Sequence, residues 1–202
     1  MGVNTMKKIL IILLLFSNLI TSSFSKEIRS RFGFYIDVPD GLTAVQNLNL
    51  DELLKNYEGK EIDINAFNDI MAGVSKQNMN IEYFFPTDLD PVKNAININI
   101  QEGDVKDIFI VGLKEMCKIY QKEYSRVFNK NIKQYECKQI SEFSPKFNPV
   151  IFLLHDGAKN YLIQYQFQVK SGLATLTIGC DTNQNCNTMQ TMGRKMIKSI
   201  NY

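Results

Sequence analysis

VIFLLHDGAKNYLIQYQFQVKSGLATLTIGC, Val150–Cys180, decides how the rest of the chain is read. It divides into three strands and two tight turns. VIFLLH, Val150–His155, is apolar on both faces. The turn DGAKN, Asp156–Asn160, leads into YLIQYQFQVK, Tyr161–Lys170. There Tyr161, Ile163, Tyr165, Phe167 and Val169 point one way and Gln164, Gln166 and Gln168 the other. Ser171-Gly172 turns the chain again, and LATLTIGC, Leu173–Cys180, returns. Alternation with a period of two is a strand signature, because successive side chains of an extended backbone lie on opposite faces. An antiparallel meander must cover its apolar face, so the rest of the chain supplies that cover and the glutamine face is expected to be wet.

Outward from the meander, the flanks carry their own punctuation. Asn187 or Thr188 is expected to cap a last helix, with Met189, Met192, Met196, Ile197 and Ile200 inward and Arg194, Lys195 and Lys198 near its negative end. Upstream, Ile132–Ile140 reads as a strand carrying Cys137, and Ser141–Pro149 as a loop. A long helix is expected over about Val105–Ser125, with Phe109, Leu113, Met116, Cys117, Tyr120 and Tyr124 recurring every three or four residues. Lys114, Lys118 and Lys122 form a neighbouring polar strip. NAININIQ, Asn94–Gln101, and MNIEYFF, Met79–Phe85, alternate as strands. Asn49–Gly59 and Asp63–Lys76 read as two helices, the second with Ile64, Phe67, Ile70, Met71 and Val74 inward and Asp63 as cap. FGFYIDVPDG, Phe32–Gly41, is a strand ending in a turn, Leu42–Gln46 can return as another, and Lys26–Arg31 is a polar lead. The order β-β-α-α-β-β-α-β-β-β-β-α predicts an α+β fold: an antiparallel β-sheet with helices packed on one or both faces, an α/β/α-like sandwich.

The first residues read differently. Lys7 and Lys8 precede ILIILLLFSNLI, Ile9–Ile20, and then TSSFS places small residues at Ser23 and Ser25. This is the pattern of a secretory signal peptide over residues 1–25, cut after Ser25, leaving a single globular domain over 26–202. The alternative is an uncleaved anchor. A twelve-residue helix reaches only about 18 Å, short of the ~30 Å hydrocarbon core, so no stable membrane span is expected after cleavage. The expected location is periplasmic or secreted.

Removing Lys7 and Lys8 leaves 21 basic residues against 21 acidic. A neutral chain has no global attraction for nucleic acid or an anionic membrane, and no nucleic-acid partner is expected. The charge is nonetheless uneven. Asp51–Asp107 holds 12 acids and 5 bases, while Lys114–Lys138 holds 7 bases and 3 acids. These are either two balanced solvated faces or a basic helix face that docks an acidic partner.

Four cysteines, Cys117, Cys137, Cys180 and Cys186, imply disulfides in an exported chain. Three connectivities exist. Short loops favour Cys117–Cys137 with Cys180–Cys186, each worth about 2–4 kcal/mol if unstrained. No C-x-x-C motif and a single histidine argue against zinc.

Chemical motifs are sparse. His155, the only histidine, would have to serve any Ser-His-Asp or Cys-His apparatus, yet it ends a strand beside a turn. Cys137 as a nucleophile would have to escape oxidation. Asp181, Asn183 and Asn185 match the first half of a calcium loop, but Cys186 stands where the turn glycine belongs and Met192 where the bidentate glutamate belongs. Met189, Met192 and Met196 share a helical face that fits cuprous copper or, more simply, a core stripe. Asp88 and Asp90 read as a cation pair or a solvated loop. No cofactor or metal is expected.

The strand FGFYIDVPDG, the NAININI strand, a long helix, the meander YLIQYQFQ…LATLTIGC and a terminal helix ending MIKSI together resemble the PsbP-like/DcrB-like superfamily. The resemblance covers most of Phe32–Ile200. It implies an antiparallel sheet sandwiched by helices and a non-enzymatic accessory, assembly or partner-binding role. It carries over no ligand residue. The helices of Asn49–Lys76 and the four cysteines depart from its pattern. The expected function is an exported accessory or partner-binding protein of the cell envelope, its partner a protein or small ligand there. The alternatives are an exported hydrolase using His155 and a secreted, host-facing structural domain.

Overall fold

The computed structural model describes residues 25–45, 54–55, 57–58, 60, 62–76, 81–102, 112–127, 129, 131–140, 150–155 and 161–202. Its elements run β1 (Ser25–Arg29), β2 (Tyr35–Pro39), β3 (Leu42–Ala44), α1 (Ile64–Lys76), β4 (Ile81–Pro86), β5 (Ala95–Glu102), α2 (Leu113–Val127), β6 (Lys133–Gln139), β7 (Val150–His155), β8 (Tyr161–Val169), β9 (Gly172–Cys180) and α3 (Asn183–Ser199). β1 and β2 form a two-stranded sheet. The other seven strands form one sheet in the order β3-β4-β5-β9-β8-β7-β6, every pairing antiparallel. The meander at Val150–Cys180 supplies three adjacent strands, with Tyr165 opposite Leu176 and Ile151. The α+β fold expected from the sequence is the fold observed.

Strand alternation sorts side chains onto two faces. On the first face Ile96, Ile98 and Ile100 of β5 meet Ile163, Tyr165 and Phe167 of β8 and Ala174, Leu176 and Ile178 of β9, all buried. α3 covers them with Met189, Met196 and Ile197, and β2 adds Phe34 from its flank with Ile36 and Val38. Each fully buried side chain of this size is worth about 1.5–3 kcal/mol, so this layer carries most of the apolar stabilisation. Gly193 lets α3 lie close on the sheet: a Cβ there would stand 2.8 Å from Ile178 Cδ1. Gly172 opens β9 with φ of 150°, and a side chain there would run into the backbone carbonyl of Gln101.

Ser199 and Asn201 tie the end of α3 to β2. Asn201 exchanges two backbone hydrogen bonds with Tyr35 (2.8 and 3.1 Å), and Ser199 Oγ accepts from Asp37 N at 2.7 Å. Lys26–Arg31, expected as a polar lead, is mostly strand: β1 pairs with β2 from Ser25↔Pro39 to Arg29↔Tyr35. Its connection to β2 is fixed by a buried carboxylate. Glu82 on β4 accepts from Ser30 Oγ (2.9 Å) and Arg31 N (2.6 Å), so the charge is met where water is excluded.

The second face is covered in two patches. Tyr57, Phe67, Met71 and Phe85 form one, with Phe67 and Phe85 ring centroids 5.2 Å apart. Asp63 caps α1 as expected, its Oδ1 accepting from Ala66 N at 3.0 Å. Ile64, expected inward, is 52% exposed, because the first turn of α1 overhangs the patch. The other patch lies under α2 and, among the described residues, contains Met116, Cys117, Tyr120 and Cys137. The expected helix at Asn49–Gly59, the Val105 start of the long helix and the inward Val74 fall mainly or wholly outside the described residues.

Two expectations are corrected here. α3 begins at Asn183, not at Asn187 or Thr188. Thr182 caps it, its hydroxyl accepting from Asn185 N at 3.1 Å, and the Cys180–Cys186 bond ties the first turn to β9. The glutamine face is not wet throughout. Gln164 and Gln166 are 6% and 4% exposed, and only Gln168 reaches solvent. Gln164 bonds Thr177 Oγ1 at 3.0 Å and accepts from Tyr124 OH at 2.5 Å, so α2 roofs a polar lane that alternation alone marks as solvated.

Candidate functional site

Residues Lys114–Lys138, the basic segment of the sequence, fold into α2 and β6. Among the described residues, a disulfide and three hydrogen bonds hold α2 to its neighbours. Cys117 is bonded to Cys137, with Cα atoms 6.0 Å apart. Gln121 Nε2 donates to Ile132 O at 3.1 Å, and Ser125 Oγ accepts from Ile132 N at 3.2 Å. Tyr124 reaches Gln164 across the polar lane. Burial pushes the Tyr124 phenol up to about 12, against a smaller opposing effect of its hydrogen bond to Gln164.

Between α2 and β6 lies a cleft of about 500 Å³. Its walls are Leu113, Lys114, Cys117, Lys118, Gln134 and Cys137. The disulfide and Leu113, 37% exposed, line it with apolar groups, and the two lysines with positive charge. Leu113, expected in the core, is therefore part of the cleft wall. Gln134 Oε1 is shielded from solvent and has no hydrogen-bond partner among the described residues.

The helix surface beyond the cleft is charged but partly self-paired. Lys118 meets Glu115 at 3.3 Å and Arg126 meets Glu123 at 2.8 Å. Lys114 and Lys122 have no ion pair among the described residues, leaving the strip net positive. Ile119 stands 47% exposed on the same helix.

The remaining sequence candidates are placed elsewhere and separately. His155 ends β7 opposite Tyr161, ring centroids 4.6 Å apart, and opposite Lys133. All four cysteines are bonded in the two short-loop pairs, so Cys137 is not a free nucleophile. Asp181, Asn183 and Asn185 do not form a loop. Asn185 donates to Asp181 Oδ1 at 2.8 Å within the start of α3, which is cap geometry rather than a calcium cradle. Met189 and Met196 are core; Met192 lines a second, smaller cleft of about 370 Å³ beside Asp40 and Lys195. Asp90 closes its own loop, accepting from Val92 N and pairing with Lys93 at 3.0 Å. Among the described residues, no three His, Cys, Asp or Glu side chains gather as a metal site, and no helix is long and apolar enough to cross a membrane. The lysine strip was visible in the sequence. Gln134 was not, because a bulge between Gln134 and Glu136 resets which side chains of β6 face α2.

A seven-stranded antiparallel sheet with α3 and a hairpin on one face and α1 and α2 on the other is an α+β sandwich. Comparison with solved structures makes the class narrower. The chain is similar to the solution structure of cyanobacterial PsbP (CyanoP) from Synechocystis sp. PCC 6803, with a TM-score of 0.57 and 8% identity, covering 91% of this chain and 95% of that one. It is also similar to the Ran-binding protein Mog1p of Saccharomyces cerevisiae, with a TM-score of 0.54 and 10% identity, covering 89% of this chain and 96% of that one. The fold is thus the PsbP-like fold that the sequence resembles; at these identities the likeness is one of fold. No family model matches the chain, and no curated protein matches it by sequence. The two disulfides fit an oxidising, non-cytosolic compartment.

Proposed function

We propose that this chain is an exported, non-enzymatic accessory protein of the cell envelope that docks an acidic segment of a partner protein in the cleft between α2 and β6. One observation carries the reading: a cleft lined by Leu113 and the Cys117–Cys137 disulfide together with Lys114 and Lys118. An extended acidic peptide supplies what each part lacks. Its carboxylates face the lysine strip, and an apolar side chain covers Leu113 and the disulfide. Supporting the reading are the PsbP-like fold, which one similar protein, Mog1p, uses in a Ran-binding protein, and the apolar amino-terminal segment at Ile9–Ile20 with its preceding lysines. The disulfides support export to the periplasm or the medium.

The test is capture with a photo-crosslinker at Lys122, on the rim beyond the cleft. A specific acidic partner is expected in crosslinked envelope fractions, lost in a Lys114→Glu/Lys118→Glu variant and weakened roughly tenfold by tripling ionic strength. Crosslinks that persist unchanged in that variant would remove the cleft from the function.

A further inference from the structure

The two disulfides of this chain differ in the exposure of one sulfur. Cys180 and Cys186 are 2% and 6% exposed and belong to the main core under α3, beside Met189 and Ile178. Cys117 is buried to a like degree, at 7% exposed, but Cys137 is only half-buried, and both line the α2–β6 cleft. Lys114 and Lys118 line the same cleft. Lys118 pairs with Glu115 and Lys138 with Glu136, so Lys114 is the cleft cation with no ion pair among the described residues. Thiol–disulfide exchange requires an approaching thiolate and a leaving thiolate, and both are favoured by reachable sulfur in a positive setting.

We infer that Cys117–Cys137 is a thiol-exchange site, open to a dithiol reductant, whereas Cys180–Cys186 is inert. The reductant thiolate attacks Cys137 Sγ. A new sulfur–sulfur bond forms there as the Cys117–Cys137 bond breaks, and the electron pair leaves on Cys117 Sγ, one helical turn from Lys114. The second sulfur of the reductant then attacks its own half of the mixed disulfide and releases Cys137 as a thiolate. The chain gains two electrons and, after protonation, two thiols; the dithiol becomes a disulfide. Reduction removes the one covalent link between α2 and β6 and leaves the Ile132 and Gln164 hydrogen bonds to hold the helix. The reaction needs no docked protein, so it stands apart from the proposed partner.

The experiment takes the full oxidised chain, adds dithiothreitol, traps thiols with iodoacetamide over time and maps the alkylated cysteines by mass spectrometry. Cys117 and Cys137 are expected to be trapped at least about tenfold faster than Cys180 and Cys186. A second arm compares an anionic monothiol, 2-mercaptoethanesulfonate, with cationic cysteamine at equal thiolate concentration. The anionic reagent is expected to open Cys117–Cys137 several-fold faster, and Lys114→Gln/Lys118→Gln to erase that preference, with unchanged far-ultraviolet circular dichroism. Equal trapping of the two pairs, or a charge preference unaltered in the lysine variant, overturns the inference.

Discussion

α2 and α3 differ by only two residues in length, 15 against 17, and both lie on the seven-stranded sheet, yet they are held by different means. α3 buries Cys186, Met189, Gly193, Met196 and Ile197 against the longest strands. Among the described residues, α2 buries Met116 and Cys117 and is joined to its neighbours by one disulfide and hydrogen bonds to Ile132 and Gln164. Apolar area removed from water scales stability, so α3 is integral to the core while α2 is a clamped accessory to it. The difference teaches where function has room. A helix fixed by a covalent link and hydrogen bonds can present its outer surface and its cleft without those residues being drawn into packing.

Paired substitutions of one residue type test this contrast with the largest effect. Met196→Ala, in the core under α3, is expected to cost about 3–5 kcal/mol in chemical denaturation. Met116→Ala, in the small cluster under α2, is expected to cost about 1–2 kcal/mol, since few neighbours lose contacts. Equal costs would mean that α2 is packed as firmly as α3.

A smaller effect concerns pH. Tyr124 has its phenol pushed up to about 12 by burial, above the unfolded value near 10. Between those values the unfolded chain releases a proton that the folded chain keeps, so the Tyr124 contribution is complete below pH 10 and is lost as pH rises toward 12. Denaturant midpoints in that range should fall with pH, and Tyr124→Phe should flatten the slope. A slope unchanged by the substitution would show that other groups drive alkaline loosening.

Much of the fold was legible in the sequence because it rests on alternation. The isoleucines of NAININI and the odd-numbered residues of Tyr161–Val169 declare their buried face directly. The second face was not legible. Gln164 and Gln166 satisfy the pattern of a wet face, and only the tertiary partner Tyr124, 40 residues away, makes Gln164 a buried one. The start of α3 was misread for a related reason. The polar run DTNQN looks like a loop, but Thr182 supplies a cap and the disulfide at Cys186 holds the first turn down. At the candidate site, the Lys114–Lys118–Lys122 spacing was visible as periodicity. The Cys117–Cys137 link was also legible, from the short loop it closes, but the β6 bulge that sets which side chains of β6 face α2 leaves no local signal.

Amide hydrogen exchange on the intact chain and on a Cys117→Ser/Cys137→Ser variant tests the division of labour most directly. Loss of a cross-link closing a loop of this length removes about 3 kcal/mol, equivalent to about a hundredfold in an opening equilibrium. The account predicts that amides of Leu113–Val127 lose protection by that order while those of Asn183–Ser199 keep theirs. Unchanged protection in α2, or an equal loss in α3, would contradict it.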